Sequence, residues 1–198
     1  MKRIFDFIFS LSVLLIFSPL LIILSLIIYF NDFGPVFYMA PRVGQNGRLF
    51  RMFKFRTMVV NADKIGASST TASDKRITRV GKFLRKTKLD ELPQFINVLT
   101  GQMSVVGPRP EVKSFTDMFT EEEKAILSVK PGITDYASIW NSDEGKILEG
   151  AEDPDMAYKE LIWPEKKRLQ LKYVREHSFW TDIKIVFLTL LIIVRKYT

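Results

Sequence analysis

The longest apolar pattern in the chain lies close to its N-terminus. Residues 7–30 form a run of 24 without a charged side chain, long enough for a membrane helix, since about 20 residues cross the hydrocarbon. Ser18-Pro19 interrupts the run, and proline kinks or breaks a helix. The pattern therefore predicts either a kinked spanning helix or a re-entrant helix hairpin broken at Ser18-Pro19. A cleaved signal peptide fits less well, because the apolar stretch is too long and no Ala-x-Ala site follows.

Basic residues flank both ends of this run. Lys2 and Arg3 precede it, and residues 42–56 hold five further Lys or Arg. Basic flanks prefer the cytoplasmic side of a membrane, so a re-entrant hairpin satisfies both ends, whereas a single span leaves one end on the wrong side. We therefore favour the re-entrant form for residues 1–31, followed by a cytoplasmic domain over residues 32–182.

A second apolar stretch lies near the C-terminus. Residues 185–194 are ten uncharged apolar or Thr residues followed by Arg195 and Lys196. Ten residues are too few to span a bilayer. We expect residues 183–198 to form an apolar interfacial helix or to pack against the N-terminal hairpin.

The remaining pattern predicts a helix-rich α+β fold. Short strands are predicted at 36–39 and 49–58 around an Asn46-Gly47 turn, the strongest local hairpin signal. Helical spacing of apolar residues predicts a helix that begins at Asp74, with basic faces suited to a membrane surface, and further helices over 89–99, 121–127 and 156–173. The acidic stretch 143–155 predicts a solvated loop.

Composition removes several classes of chemistry. The chain has no cysteine and one histidine, His177, which excludes disulfides, thiolate nucleophiles and multi-histidine metal sites. Residues 36–88 hold 13 Lys or Arg and two acids, within a net charge of +7 for the whole chain. This positive stretch fits an anionic membrane leaflet or substrate phosphates. Aromatic residues interleave with the basic ones near residue 53, but no nucleic-acid motif is present, so we expect no nucleic-acid partner.

Three short motifs offer chemistry. Asp90 and Glu91 open the predicted 89–99 helix, where acids also serve as ordinary caps. Nearby cations keep Asp90 ionised at neutral pH, so that it could attack phosphorus or hold a metal, while Glu91 could bind Mg²⁺. Arg109 stands between two prolines, so its planar fork is held for a phosphate or is simply a turn residue. Lys54 and Arg56 lie on the second predicted strand, where a solvated strand face is the plain interpretation.

Taken together in order, the motifs resemble a known family. The chain resembles the bacterial monotopic phosphoglycosyl transferases, also called bacterial sugar transferases, almost end to end and in a small form without extra preceding helices. The resemblance is carried by these segments: Lys2-Arg3-Ile4-Phe5-Asp6, Gly34-Pro35-Val36-Phe37, Lys54-Phe55-Arg56-Thr57-Met58, Leu89-Asp90-Glu91-Leu92-Pro93-Gln94, Asn97-Val98-Leu99, Gly101-Gln102-Met103-Ser104, Val106-Gly107-Pro108-Arg109-Pro110, Lys130-Pro131-Gly132-Ile133-Thr134 and Ser178-Phe179-Trp180.

The resemblance implies a reaction and a site. Such enzymes move a phosphosugar from a UDP-sugar to a polyprenyl phosphate such as undecaprenyl phosphate, release UMP, and begin glycoconjugate assembly on the cytoplasmic face of the bacterial inner membrane. The resemblance makes residues 32–182 the catalytic domain, Asp90 the nucleophile that forms a covalent phosphosugar intermediate, and Glu91 a catalytic residue and ligand of the cofactor Mg²⁺. The basic residues Lys54, Arg56, Arg85 and Arg109 are expected to bind the substrates.

One departure and two alternatives accompany the resemblance. Many family members carry Gly-Trp where this chain has Asp135-Tyr136, so the sugar cannot be transferred by analogy. A non-enzymatic basic membrane scaffold that binds anionic lipid explains the charge and the apolar run, but not the order of the motifs. A phosphotransferase of the CDP-alcohol type needs a dense multi-aspartate motif that the sequence lacks. The sugar, the glycan pathway and the oligomeric state, including a homodimer, stay open.

Overall fold

A computed structural model of the chain describes residues 1–62, 65, 70–71, 73–141 and 143–197, with side chains up to Arg195. The helices are α1 (Lys2–Ile16), α2 (Ser18–Asp32), α3 (Arg79–Thr87), α4 (Gln94–Leu99), α5 (Lys113–Thr116), α6 (Tyr136–Trp140), α7 (Glu144–Ile147), α8 (Pro154–Ala157), α9 (Trp163–Glu176) and α10 (Phe179–Tyr197). The strands are β1 (Phe37–Val43), β2 (Leu49–Phe55), β3 (Ser104–Val106) and β4 (Gly132–Thr134). The predicted helix-rich α+β class is confirmed.

The N-terminal apolar run forms two helices that meet at a bend. Helix α1 ends at Ile16 and α2 begins at Ser18, with Pro19 in its first turn, where a missing backbone N–H costs nothing. The break at Ser18-Pro19 is therefore confirmed. The two helices are bent by 62°, an open angle rather than an antiparallel hairpin. Among the described residues no single helix is long and apolar enough to cross a membrane, but this bent pair together reaches the length and composition of a span.

Polar residues at the start of α1 hold it against the rest of the molecule. Asp6 is buried and accepts hydrogen bonds from Ser104 Oγ (2.9 Å) and the backbone N–H of Val105 (3.0 Å). Lys2 forms a salt bridge with Asp182 and donates to the carbonyl of Val106 (2.9 Å). These bonds fix the beginning of the bent pair on strand β3 and the first turn of α10.

The far end of the bent pair is held in the same way. Asp32 ends α2 and pairs with Arg56, which also donates from Nε to the carbonyl of Pro35 at 2.6 Å. Arg56 directly follows β2, and β2 pairs antiparallel with β1 from Phe37↔Phe55 to Val43↔Leu49. Both ends of the apolar pair therefore attach to one polar body. The predicted strand–turn–strand unit is confirmed, with 3₁₀ geometry at Gln45–Gly47.

The second sheet depends on a close approach of two glycines. Strands β3 and β4 are parallel, and Ser104 lies opposite Gly132. A Cβ atom on Gly132 would come within 2.1 Å of the Gly107 backbone nitrogen, so no larger residue fits without moving the backbone. This contact fixes the loop that carries Arg109. Around the two sheets lies the main core, formed by Phe50, Met52, Val98, Met103, Val105, Val106, Tyr173 and Ile185.

Two local predictions were wrong. The helix expected from Asp74 begins at Arg79, because Thr78 is the residue that caps it, accepting from the N–H of Gly81 at 2.9 Å. The side chain of Asp74 is instead engaged by Arg76. The acidic stretch 143–155 is not simply a solvated loop: in its described part it forms α7 and the start of α8, and Leu148 is buried. Part of the loop between β2 and α3, as well as Ser142, lies outside the described residues.

The C-terminal helix has two unlike faces. On one side Ile185 is fully buried and Thr189 Oγ1 lies 2.8 Å from Thr134 Oγ1, so α10 packs on the second sheet. The start of α10 also meets α1, where the rings of Phe5 and Phe179 make an edge contact. On the outer side a row of large apolar side chains is exposed, comprising Phe187, Leu190, Ile193 and Val194.

Candidate active site

The acidic pair is presented by a tight turn between two helices. Helix α3 ends at Lys88, whose left-handed backbone (φ 59°) redirects the chain. A 3₁₀ turn over Leu89–Glu91 follows, then α4. The predicted helix over 89–99 is thus present, with a tighter first turn. Gly81 allows α3 to lie directly against the backbone of Thr57, because any Cβ there would meet the Thr57 carbonyl oxygen at 1.9 Å.

Glu91 lies between two cations. Lys54 Nζ, at the end of β2, is 2.8 Å from Glu91 Oε1. Arg109 donates to both carboxylate oxygens, at 3.1 Å to Oε2. A two-pronged guanidinium–carboxylate contact is stronger and more directional than a single one. Lys54 lies 37 positions before Glu91, and Arg109 lies 18 positions after it. Glu91 thereby joins residues that are distant along the chain.

The backbone around Arg109 is also held in place. The N–H of Arg109 donates to Asp135 Oδ2 at 3.2 Å, and its carbonyl accepts from Gln170 Nε2 at 3.2 Å. Asp135 at the same time caps α6 through the N–H of Ser138 at 2.7 Å. The departure noted at Asp135 therefore has a structural role, which is to connect the arginine loop with α6.

Asp90 differs from its neighbour in having an oxygen with no hydrogen-bond partner among the described residues. Asp90 is only 7% exposed, and the unpartnered oxygen is its buried Oδ1. Burial raises the pKa of Asp90 above its ordinary value, and the positive charges of Lys54 and Arg85 offset only part of this effect. The cations lower the pKa of Asp90, as the sequence indicated, but removal from water outweighs them in the direction of the shift. That Asp90 is ionised at neutral pH stays a prediction.

The opposite balance holds at Glu91. Burial alone would raise the pKa of Glu91, but Arg109 and Lys54 hold it well below the usual range. Burial lowers the pKa of Lys54, although Glu91 works against the shift. The turn therefore carries one carboxylate locked in ion pairs and one buried carboxyl with a free oxygen.

The other predicted binding residues divide into two. Arg85 lies near the pair, with Nε donating to Thr57 Oγ1 at 2.9 Å and its charge acting on Asp90. Arg56 is committed to Asp32 and Pro35 instead. The structure thus gathers Lys54, Arg85 and Arg109 around the acids but gives Arg56 a place at the end of α2. The substrate-binding roles of all four stay predictions.

A second charged cluster, which sequence analysis missed, lies beyond Arg109. Lys166 is 4% exposed and contacts Glu111 (2.8 Å), Glu144 (3.0 Å) and the hydroxyl of Tyr158 (2.7 Å). Tyr158 in turn donates to Glu111 at 3.0 Å. No sequence signal singles these residues out, because they come from four separate segments and their spacing follows no motif.

The carboxylate oxygens of Asp90 and Glu91 suit Mg²⁺ only when a substrate supplies further oxygen ligands. No group of three or more His, Cys, Asp or Glu that could hold a metal occurs in the described part of the chain. Mg²⁺, however, is usually bound by one or two carboxylates together with substrate phosphates and water. The free Oδ1 of Asp90 and the Oε2 of Glu91, which accepts a single bond, fit that pattern.

Comparison with known proteins identifies the family. The family model described as bacterial sugar transferase matches residues 1–196. The chain belongs to the bacterial sugar transferase family. Its sequence is 40% identical over 195 residues to the UDP-glucose:undecaprenyl-phosphate glucose-1-phosphate transferase of Escherichia coli K12, covering 96% of this chain and 39% of the relative.

Two further relatives carry different names. The UDP-N-acetylgalactosamine-undecaprenyl-phosphate N-acetylgalactosaminephosphotransferase of Aeromonas hydrophila is 36% identical, over 96% of this chain and 42% of its own. The exopolysaccharide production protein ExoY of Rhizobium meliloti is 34% identical, over 96% of this chain and 83% of its own. The chain thus spans about two fifths of the E. coli and Aeromonas relatives.

Proposed function

We propose that this chain transfers a phosphosugar from a UDP-sugar to undecaprenyl phosphate, releasing UMP and forming undecaprenyl-diphospho-sugar. The observation that carries the proposal is the buried Oδ1 of Asp90, which has no hydrogen-bond partner in the part of the chain that the structure describes and lies beside cations that suit phosphates. The names of the family relatives, which are undecaprenyl-phosphate sugar phosphotransferases, support the same acceptor. This reaction is the first membrane step of glycan assembly.

The proposed chemistry has two steps at one carboxylate. Asp90 Oδ1 attacks the phosphorus next to the sugar, the bond to the second phosphate breaks, and UMP leaves. The acceptor phosphate then attacks the same phosphorus, which frees Asp90. A covalent intermediate lets two anionic substrates use the site in turn, because the acceptor phosphate enters after UMP has left.

Electrostatics around Asp90 favour these steps. Lys54 and Arg109 neutralise Glu91, while Arg85 and Lys88 act on Asp90 with further positive charge. A preorganised cationic frame stabilises the charge that builds on phosphoryl oxygens. The raised pKa of Asp90 also makes its carboxylate a stronger nucleophile wherever it is ionised. Mg²⁺, held through Glu91 together with the diphosphate, would supply additional charge neutralisation.

We further propose that the chain enters the cytoplasmic face of the bacterial inner membrane without crossing it. Two observations support this: both ends of the bent pair bond to the same polar body, through Lys2 and through Asp32, and α1, α2 and α10 carry exposed large apolar residues. Such a monotopic arrangement brings the site to the level of a lipid phosphate. An anchored scaffold would share the apolar surface and the charge, but it would have no use for a partnerless buried carboxyl.

The test is UMP release from a panel of UDP-sugars with undecaprenyl phosphate and Mg²⁺ in detergent or nanodiscs. We expect release with one or a few sugars, dependent on the lipid and on the metal and lost on chelation. Asp90→Asn should release none, and intact-mass measurement should find a phosphosugar adduct only on the wild type. A variant Asp90→Asn that retains activity would overturn the proposed nucleophile. A folded wild-type protein that releases UMP from no donor would favour the scaffold.

A further inference from the structure

Two buried polar atoms without a partner lie in one short segment. In the described part of the chain, five buried side-chain atoms have no hydrogen bond: Ser10 Oγ, Asp90 Oδ1, Gln94 Nε2, Asn141 Nδ2 and Trp163 Nε1. Buried polar groups nearly always have a partner, so each exception needs a reason. The proposed attack by Asp90 accounts for its free oxygen. Gln94, which is 1% exposed, is not yet accounted for.

The position of Gln94 places it beside the acidic pair. Glu91, Gln94 and Asn97 follow one another at intervals of three, which puts them on one side of the helical segment. That side faces β2, since Glu91 bonds to Lys54 and Asn97 bonds to the backbone of Phe53 at 2.9 Å. Gln94 therefore lies between these two contacts, one turn beyond Asp90.

A purely structural role explains this residue poorly. A buried amide without an acceptor destabilises the fold, and an apolar side chain of the same size would suit the position better. Gln170, which is equally buried, has an acceptor in the carbonyl of Arg109. The contrast indicates that the acceptor of Gln94 is a group that arrives with a ligand.

We propose that Gln94 is a catalytic residue that donates from Nε2 to a non-bridging oxygen of the transferred phosphoryl group. The inference rests on the function proposed above, in which the oxygen of Asp90 forms a bond to that phosphorus while the bond to UMP breaks. Gln94 keeps its proton throughout, so the balance of the reaction is unchanged. A donor aimed at oxygens that gain charge in the transition state accelerates the step more than it strengthens substrate binding.

The test is Gln94→Met, which keeps the volume of the side chain and removes the donor. We expect a melting temperature equal to or above that of the wild type, together with a kcat lower by about 10²- to 10³-fold and a KM that rises by a smaller factor, because the donor also contacts the bound phosphate. The matched control is Gln45→Met. Gln45 donates to the carbonyl of Ser128 at 2.8 Å on the hairpin turn, and this variant should keep full activity.

A second measurement does not depend on turnover. Inorganic pyrophosphate with Mg²⁺ should raise the melting temperature of the wild type and raise that of Gln94→Met by less. Full kcat in Gln94→Met, or a loss of kcat matched by a loss of thermal stability, would overturn the proposal. If the wild type turns over no UDP-sugar, the proposed function is wrong. The pyrophosphate shift in melting temperature then still tests whether Gln94 contacts a phosphate anion. A smaller shift in the variant supports the anion contact, and an equal or absent shift overturns it.

Discussion

Two charged clusters lie side by side in this molecule, and they differ in one respect. In the cluster around Lys166, all four members, Glu111, Glu144, Tyr158 and Lys166, have partners within the protein. In the cluster around Glu91, the carboxyl of Asp90 keeps a buried oxygen with none. We call the cluster around Lys166 the closed cluster and the cluster around Glu91, with Asp90, the open cluster. A network whose polar groups are all paired holds segments together, whereas a network with an unpaired oxygen can bind a ligand. The difference lies in completeness, since both clusters are buried and both are charged.

The largest expected effect comes from the open cluster. Asp90→Asn should lower activity by at least about 10³-fold, because an amide cannot act as the nucleophile. Burial raises the pKa of Asp90, so at neutral pH the ionised side chain destabilises the fold. Asp90→Asn should therefore melt at a higher temperature than the wild type at pH 7. This gain should vanish once the pH falls below 3.8, the ordinary pKa of aspartate, and a lower melting temperature at pH 7 would contradict the interpretation.

The closed cluster should respond in the opposite way. Lys166→Met leaves Glu111 and Glu144 without their cation, and breaking a buried pair on one side costs about 3–5 kcal/mol. Chemical denaturation should measure this loss. Activity per folded molecule should fall by less than about tenfold, because Lys166 contacts neither acid of the turn. A variant with wild-type stability would show that the cluster is not a structural one.

Arg109 bonds to Glu91 in the open cluster and acts electrostatically on Glu144 in the closed one. Its substitution tests whether the open cluster needs the two-pronged contact or only the charge. Arg109→Lys keeps the charge but loses the two-pronged contact with Glu91, and we expect activity to fall by about 10- to 100-fold. Steady-state kinetics with the active UDP-sugar would measure it. Lys113→Arg is a suitable control, since Lys113 pairs with Asp117 at an exposed site. Unchanged activity in Arg109→Lys would mean that charge alone matters at this position.

The smallest effect concerns pH and the closed cluster. Burial acts to raise the pKa of Glu144, but Lys166 and Arg109 lower it below the ordinary value of 4.5. Its pairing therefore stabilises the fold above pH 4.5 and is lost as the pH falls through the lowered value. Glu144→Gln should melt slightly below the wild type at pH 7, and the difference should disappear in strong acid. The effect should be small and sensitive to salt, because this side chain is 36% exposed.

The residues of the open cluster could be predicted from the sequence, whereas those of the closed cluster could not. Lys54, Asp90, Glu91 and Arg109 stand in short motifs whose local chemistry is visible, and the structure brings all four together. The closed cluster depends on tertiary contacts among separate segments, which no periodicity reports. For the same reason the sequence did not reveal the partner of Arg56: a basic residue at a strand end can face a substrate or an acid such as Asp32, and only the fold places it beside Asp32.

The elements of the fold also divide into those that local sequence predicts and those that depend on tertiary surroundings. The break at Pro19 and the hairpin turn at Asn46-Gly47 arise from local backbone chemistry and were predicted correctly. The start of α3 was placed at Asp74 from the helical spacing of apolar residues, but Thr78 caps the helix and the Asp74 side chain turns to Arg76. Two residues with similar capping ability in one segment cannot be ranked without their surroundings.

The bonds of Lys2 have a consequence for the order in which the molecule is made. Lys2 contacts Asp182, which is 180 positions later in the chain. At a synthesis rate of about 5–20 residues per second, that partner emerges on the order of 10 to 40 s after Lys2. Helix α1 therefore leaves the ribosome long before its docking surface exists. During that interval the apolar side chains of α1 need another shelter, and a helix that is synthesised long before Asp182 reaches its final contacts only after Asp182 has emerged.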